Sequence, residues 1–326
     1  MKSQAISLVF YILLLLLHSC KEADDISGDD VPGYSPILVS AASVQAMSTR
    51  AYLPDGMYDN FKVCAVAEKE NSSTVVMDGW KVLFKQQDWT YVSDDHSLSY
   101  WDPAANDYLF VAGAPFQAVS SISKDNMTLQ LANNTTESVM ASNPVKVLKD
   151  DFGKTVNLRF SYAHCMVSVA FLKESTEDVT VTDITLTPDA AIASKANLTY
   201  SYNWSTATPT ATSQVNTTEK SADAFLFAGV TIPAHTTDAV PSATHHYCVP
   251  DAANTKDWKV SVTCGGEQKT AAFVNNETWE SGKNYIYLFS LTEKGVKLVK
   301  VISQDDFFDC NDIIPGDEFS NADMTE

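Results

Sequence analysis

The chain carries short hydrophobic stretches in which apolar and polar residues alternate, with no long stretch that repeats every 3.6 residues. In "VNLRFSY" (156–162), Val, Leu and Phe fall on one face of an extended strand and polar residues fall on the other. Turn-forming clusters such as Asn133-Asn134 and Cys264-Gly265-Gly266 separate these stretches. The pattern predicts an all-β protein, with strands in "LFVAGAPF" (109–116), "MTLQL" (127–131), "VNLRFSY" (156–162), "CMVSVAFL" (165–172), "DVTVTDITLT" (178–187), "NLTYSYNW" (197–204), "WKVSVTC" (258–264) and "NYIYLFSL" (284–291).

The spacing of these strands favours sandwiches of two sheets over one large barrel. A chain of 326 residues also exceeds the size at which single cores stop growing, about 250 residues. A polar, turn-rich segment, "ASNPVKVLKDDFGKT" (141–155), precedes a strong restart of the strand pattern. We therefore expect two tandem β-sandwich domains, at 37–155 and 156–302, followed by an acidic tail at 303–326.

The amino terminus has the three parts of a secretory signal, namely a positive charge, an apolar run at 5–17 and a small residue. The run is shorter than the about 20 residues that a membrane-spanning helix needs. The sequence "LHSC" (17–20) resembles a bacterial lipobox, which makes Cys20 the predicted lipidation site and 1–19 the signal peptide. The alternative is a cysteine that lies beside an ordinary cleavage site.

Acidic residues follow Cys20 directly, in "KEADD" (21–25). A segment of this composition stays solvated because it has little apolar surface to bury, so we expect an acidic tether at 20–36. The run also resembles the acidic signal that sends lipoproteins of the Bacteroidetes to the cell surface. The expected location is therefore the outer membrane, with the protein lipid-anchored and facing outwards.

Charge and cysteine content exclude several classes of partner. The formal net charge of −19 repels phosphate backbones, so no nucleic acid partner is expected. The sequence contains no Cys-x-x-Cys, and neither a zinc ribbon nor a disulfide framework is indicated. Cys248 and Cys264 remain a candidate pair on neighbouring strands, with buried thiols as the alternative. His245 and His246 point to opposite faces of a strand, so no metal site is predicted beside Cys248.

Known catalytic motifs are absent from the sequence, which contains no Gly-x-Ser-x-Gly, no His-Glu-x-x-His, no phosphate loop and no dinucleotide fingerprint. We therefore expect no enzyme activity, no catalytic residues and no cofactor. Tryptophan and tyrosine residues near strand ends are expected in the core. The alternative is an exposed aromatic platform, as in a monomeric surface lipoprotein that binds glycans.

Several motifs together carry a family resemblance. "TRAY" (49–52) precedes the strand "NFKVCAVA", and "SYWDPAANDYLFVAGAPF" (99–116), "RFSYAHCMVSVAF" (159–171) and "ETWESGKNYIYLFSL" (277–291) follow in that order. This order resembles the fimbrillin family, the subunits of the surface pili of Bacteroidetes. The resemblance implies a lipoprotein with two β-sandwich domains of the transthyretin-like Greek-key type, located in a fimbrium.

Arg50 is one of only two arginines in the chain, beside twenty lysines. Its surroundings, "MSTRAYLPDG" (47–56), have the composition of an exposed loop open to proteolysis, whereas Arg159 lies inside a predicted strand. The resemblance to fimbrillins implies that an arginine-specific protease cuts after Arg50 and releases the first strand. A solvated arginine with no role is the alternative.

Release of "PILVSAASVQAM" (36–47) would leave unpaired backbone groups and apolar pockets where Ile37, Val39 or Val44 had been. A strand from a second subunit restores both, which is donor-strand complementation and gives a head-to-tail polymer of pilus subunits. "GVKLVKVIS" (295–303) is a candidate donor, or else the last strand of its own sandwich. The expected partners are therefore other pilus subunits, the outer membrane and an arginine-specific protease.

Overall fold

The fold is that of a computed structural model, which describes residues 35–43, 59–85, 88–91, 96–133, 137–250 and 257–305. Cys20, Arg50 and the tail beyond residue 305 lie outside these residues. Within them the regular secondary structure is almost entirely β-strand, as the sequence predicts. No helix of the described residues has the length and apolar character needed to cross a membrane.

The described residues form twenty-two strands and two short 3₁₀ helices, at Phe116–Ala118 and Lys149–Asp151. All eight strands that the sequence predicts are among them. The strands are β1 (Val39–Ser43), β2 (Asn60–Lys69), β3 (Ser72–Lys85), β4 (Asp88–Thr90), β5 (Asp107–Ala114), β6 (Val119–Ile122), β7 (Asn126–Ala132), β8 (Met140–Ser142), β9 (Val145–Leu148), β10 (Val156–Tyr162), β11 (Cys165–Lys173), β12 (Val179–Pro188), β13 (Ile192–Asn203), β14 (Thr210–Ser221), β15 (Phe225–Phe227), β16 (Val230–Ile232), β17 (Val240–Pro241), β18 (His246–Cys248), β19 (Asp257–Cys264), β20 (Glu267–Val274), β21 (Lys283–Leu291) and β22 (Val296–Asp305).

An eight-stranded sheet forms the larger part of the first unit, in the order β1-β10-β8-β5-β2-β3-β4, with β9 also paired to β5. This sheet curls until β1 approaches β4, and it encloses the first hydrophobic core. A four-stranded sheet, β14-β13-β7-β6, packs against the outer face of β2 and β5. For this reason both faces of β2 and β5 are buried, and their sequences show a continuous apolar run in place of strict alternation.

The second unit is a sandwich of two five-stranded sheets around a second core. One sheet has the order β17-β11-β21-β22, with β18 paired to β11, and the other has the order β15-β12-β19-β20, with β16 paired to β12. Trp258 and Trp279 are almost fully buried in this core, and Trp101 is equally buried in the first. These aromatic side chains supply core area, as the sequence predicts.

The strand pairing does not follow the expected domain boundary between residues 155 and 156. β10 pairs with β1 and β8 of the first unit, and the β13–β14 hairpin pairs with β7 of that unit. Val156, Leu158 and Phe160 are buried in the first core, so the restart of the strand pattern marks another strand of the same sheet. The chain passes between the units at residues 163–164, and β13 and β14 return to the first unit. The expected boundaries at 19, 36 and 302 lie in or beside parts of the chain that the structure does not describe, although β22 extends to Asp305.

Candidate functional site

The candidate site is the amino-terminal segment 35–43 and the groove that holds it, which we call the β1 groove. β1 is the outer strand of the eight-stranded sheet and runs parallel to β10. The register extends from Val39 opposite Val156 to Ser43 opposite Phe160. The segment is therefore the edge strand of the sheet, and without it β10 would become the edge strand.

Side chains of the segment alternate between the core and the solvent. Ile37 is fully buried and Val39 is 4% exposed, and both belong to the first hydrophobic core. Ala41 packs against the same core, whereas Leu38 is 48% exposed. Burial of an Ile and a Val contributes about 1.5–3 kcal/mol each. The apolar pockets that the sequence predicts for Ile37 and Val39 are therefore present, while Val44 lies outside the described residues.

Hydrogen bonds hold the backbone on both sides of this segment. Ile37 N–H donates to the carbonyl of Ser99 at 2.7 Å, and Trp101 N–H donates to the carbonyl of Ser35 at 3.0 Å. On the other side, Val156 N–H donates to the carbonyl of Leu38 at 2.8 Å. The segment therefore lies between β10 and the 99–101 loop, with backbone partners on each flank.

Tyr91 binds the backbone of the segment at Ile37. Its hydroxyl donates to the carbonyl of Ile37 at 2.7 Å, and Ser99 N–H donates to the same hydroxyl oxygen at 3.1 Å. Burial raises the pKa of this phenol, so the hydroxyl keeps its proton and remains a donor at neutral pH. Nothing in the sequence near Tyr91 indicates this role, because the contact joins residues 54 positions apart.

Loss of the segment would leave two kinds of unsatisfied surface. The free edge of β10 would present unpaired N–H and C=O groups, the Tyr91 hydroxyl would lose the carbonyl of Ile37, and the carbonyl of Ser99 would lose the N–H of Ile37. The sites of Ile37 and Val39 would become apolar pockets. An extended strand with small apolar residues at alternate positions matches both features.

The predicted cleavage site lies between this strand and β2. Arg50 is outside the described residues, which end at Ser43 and resume at Asp59. The other arginine, Arg159, lies in the middle of β10, where it pairs with Ala42 and is exposed. The structure thus places the docked strand on the amino-terminal side of Arg50 and the sheet that accepts it on the carboxyl-terminal side.

The candidate donor "GVKLVKVIS" forms most of β22 and belongs to its own sandwich. β22 pairs with β21 in antiparallel register, from Leu291 opposite Val296 to Lys283 opposite Asp305. Val296 is buried in the second core, and Leu298 packs against it. Of the two alternatives left open by the sequence, the structure supports the last strand of its own sandwich.

The structure separates the two cysteines of the candidate pair. Cys248 lies opposite Cys165 in the β11–β18 pair, whereas Cys264 lies in a different sheet opposite Glu267, so the candidate pair of Cys248 and Cys264 is not brought together. Cys64, Cys165 and Cys248 are buried, and burial raises the pKa of the Cys64 thiol to about 12. Among the described residues, no group of three His, Cys, Asp or Glu side chains is arranged to hold a metal ion.

Exposed aromatic platforms are likewise absent from the part of the chain that the structure describes. Each Trp and Tyr side chain in that part is buried or half-buried. Trp204, for example, donates its indole N–H to the carbonyl of Lys124 at 2.8 Å and packs against the outer face of β2. The described surface therefore lacks the rim of exposed rings that the glycan-binding alternative requires.

Comparison with solved structures identifies similar folds. A candidate cell adhesion protein from Bacteroides uniformis has 13% identity and a TM-score of 0.53, over 84% of this chain and 98% of that chain. A second, from Bacteroides ovatus, has 14% identity and a TM-score of 0.52, over 84% and 99%. The fimbrial anchor protein Mfa2 from Porphyromonas gingivalis has 12% identity and a TM-score of 0.32, over 83% and 98%, which is too distant to carry an argument.

Sequence comparison gives the family. No curated protein matches the chain. At identities as low as those of the two Bacteroides structures, the likeness establishes a shared fold alone. Residues 49–304 match the model of the fimbrillin-like family, which confirms the resemblance inferred from the sequence. The chain belongs to the fimbrillin-like family.

Proposed function

We propose that this protein is a structural subunit or adhesin of a cell-surface pilus that is exported as a lipoprotein through Cys20, cut after Arg50 and assembled by donor-strand exchange. Family membership supports the coarser part of this proposal, a pilus or adhesin subunit at the cell surface. One observation carries the finer part. The segment before Arg50 is an edge strand that contributes two buried side chains to the first core.

Cleavage is needed because an attached strand outcompetes a donor. While the segment is covalently linked, its effective concentration at the β1 groove is on the order of mM, far above that of any separate subunit. A cut after Arg50 turns the segment into a separate peptide, so its effective concentration at the β1 groove falls once it dissociates. A donor strand from another subunit then binds β10 and fills the pockets of Ile37 and Val39.

Head-to-tail growth follows from this geometry. Donor strand and acceptor groove are different surfaces, so each subunit accepts one neighbour and donates to another. The same cut separates Cys20, with its lipid, from the accepting sheet. A copy that escapes cleavage stays attached to the outer membrane and serves as an anchor or a cap.

The test uses an arginine-specific protease on the purified mature protein, followed by mass spectrometry and electron microscopy. We expect one cut, after Arg50, a core of residues 51–326, and polymers that survive mild detergent. Arg50→Ala should prevent both the cut and the polymers.

Arg159→Lys is the matched control, because it leaves Arg50 as the single arginine of the chain. This variant should be cut and should polymerise like the unchanged protein. A clean cut after Arg50 that yields only monomers contradicts assembly by strand exchange and favours the monomeric, glycan-binding alternative.

A further inference from the structure

An open sheet edge of the first unit lies at β14. This strand is the outer member of the sheet β14-β13-β7-β6, and along its other side it pairs with no strand of the described residues. Its backbone N–H and C=O groups on that side are therefore available to another extended chain. With twelve residues it is also long for an edge strand.

Over residues 210–217, β14 lacks the charges, prolines and bulges that normally protect an edge strand from pairing with another copy. Residues 210–218 contain no charged residue and no proline, and the charges of the strand, Glu219 and Lys220, lie at one end. The pairing with β13 is regular over eight consecutive positions, from Asn203 opposite Thr210 to Ala196 opposite Thr217. By contrast, the edge strand β20 carries Glu267 and Lys269.

The outer face of this sheet is a continuous array of neutral polar side chains, which we call the polar ladder. Its rows follow the register of β7, β13 and β14, and its inward neighbours, such as Leu129 and Leu198, are buried. Within it, Ser201 Oγ donates to Asn126 Oδ1 at 2.8 Å. The polar ladder consists of Asn126, Thr128 and Gln130 in β7, Asn197, Thr199 and Ser201 in β13, and Thr212, Gln214 and Asn216 in β14.

The distribution of charge indicates which partner strand can pair with β14. The chain carries a net charge of −19, so two copies repel each other over most of their surfaces. Residues 210–218 hold no charged residue and add nothing to that repulsion. Hydroxyl and carboxamide groups both donate and accept hydrogen bonds, so a strand of Thr, Ser, Gln and Asn is complementary to another copy of itself.

We propose that β14 is a self-association edge, at which two copies of this chain pair β14 with β14 in antiparallel orientation. A two-fold axis perpendicular to the sheet keeps the polar ladder on one face and joins the two four-stranded sheets into one of eight strands. The axis lies at Gln214, near the middle of the uncharged part, so that Gln214 faces its own copy and Thr212 faces Asn216. This contact is separate from the β1 groove and does not rest on the proposed function.

The experiment measures the oligomeric state of the mature protein by sedimentation velocity over a range of concentrations. It uses the Arg50→Ala variant as background, so that strand exchange at the β1 groove cannot contribute. We expect a species of twice the monomer mass whose population rises with concentration and does not fall with added salt, because no ion pair holds it.

Charged substitutions at Gln214 test the register of the β14–β14 pair. Gln214→Lys and Gln214→Glu each bring two like charges opposite each other in the dimer, and each should weaken dimerisation about fivefold or more. An equimolar mixture of the two variants should form a dimer again, because the charges are then opposite. The residue is exposed, so neither substitution disturbs the core.

The matched control is Gln268→Lys, which adds the same charge to the exposed edge strand β20. It should leave dimerisation unchanged. A protein that stays monomeric at every concentration overturns the proposal. A dimer that Gln214→Lys and Gln214→Glu do not weaken, or that their mixture does not restore, places the contact elsewhere and also overturns it.

Discussion

The substitution Ile37→Ala tests whether segment 35–43 is part of the first core. The side chain is fully buried, and the change removes three carbons, worth about 0.8 kcal/mol each or roughly 2.5 kcal/mol together. The cavity that remains adds to this loss, and Ile→Ala changes in cores cost about 2–5 kcal/mol. We therefore expect the free energy of unfolding of the first unit to fall by about 3 kcal/mol.

Leu38→Ala is the matched control, because it removes the same number of carbons from the next residue. Leu38 is 48% exposed, so about half of the transfer term is lost and no closed cavity forms. The expected cost is about 1 kcal/mol. Both variants are made in the Arg50→Ala background, which keeps the segment attached, and are compared by chemical denaturation followed through tryptophan fluorescence.

A second measurement links this stability to assembly, and it uses Ile37→Ala and the unchanged segment in chains that keep Arg50. After cleavage at Arg50, the Ile37→Ala segment should leave the β1 groove faster than the unchanged segment, while the core left behind is identical in both proteins. Equal denaturation midpoints for Ile37→Ala and Leu38→Ala would refute the reasoning, since a strand that fills a core pocket must distinguish its inward from its outward side chain.

Two further predictions concern the interior of the molecule. Burial lowers the pKa of His164 to about 4, so the unfolded chain takes up the proton first as the pH falls. The free energy of unfolding should therefore decline by roughly 3 kcal/mol between pH 6.5 and pH 4. His164→Asn, whose amide oxygen can still accept the N–H of Val139, should flatten this part of the pH profile in denaturation experiments. Gly113→Ala should cost about 1–3 kcal/mol, because a Cβ there would lie 2.7 Å from Cγ2 of Val119. Gly295→Ala, with nothing within 4 Å, should change the melting temperature little, and equal effects of the two glycine changes would contradict the packing argument.

Alternation of apolar and polar residues was sufficient to predict strands such as β10, because burial on one face imposes a period of two on the local sequence. "VNLRFSY" is an example, since Val156, Leu158 and Phe160 are all buried in β10. The same reasoning identified Ile37 and Val39 as the residues that fill pockets. It missed β14, whose side chains face solvent almost throughout, so that no hydrophobic pattern marks it as a strand.

The sequence by itself determined the all-β class, the inward residues of strands such as β10 and the aromatic residues of the two cores, because each depends on a local pattern of burial. Only the tertiary structure decided which strands are neighbours. It placed β10 beside β1 in parallel, brought β13 and β14 back to the first unit, set Cys248 opposite Cys165, and aimed the hydroxyl of Tyr91 at the backbone of Ile37. Such contacts join residues far apart in the chain, and their energies depend on the packing of whole sheets, which no short stretch of sequence encodes.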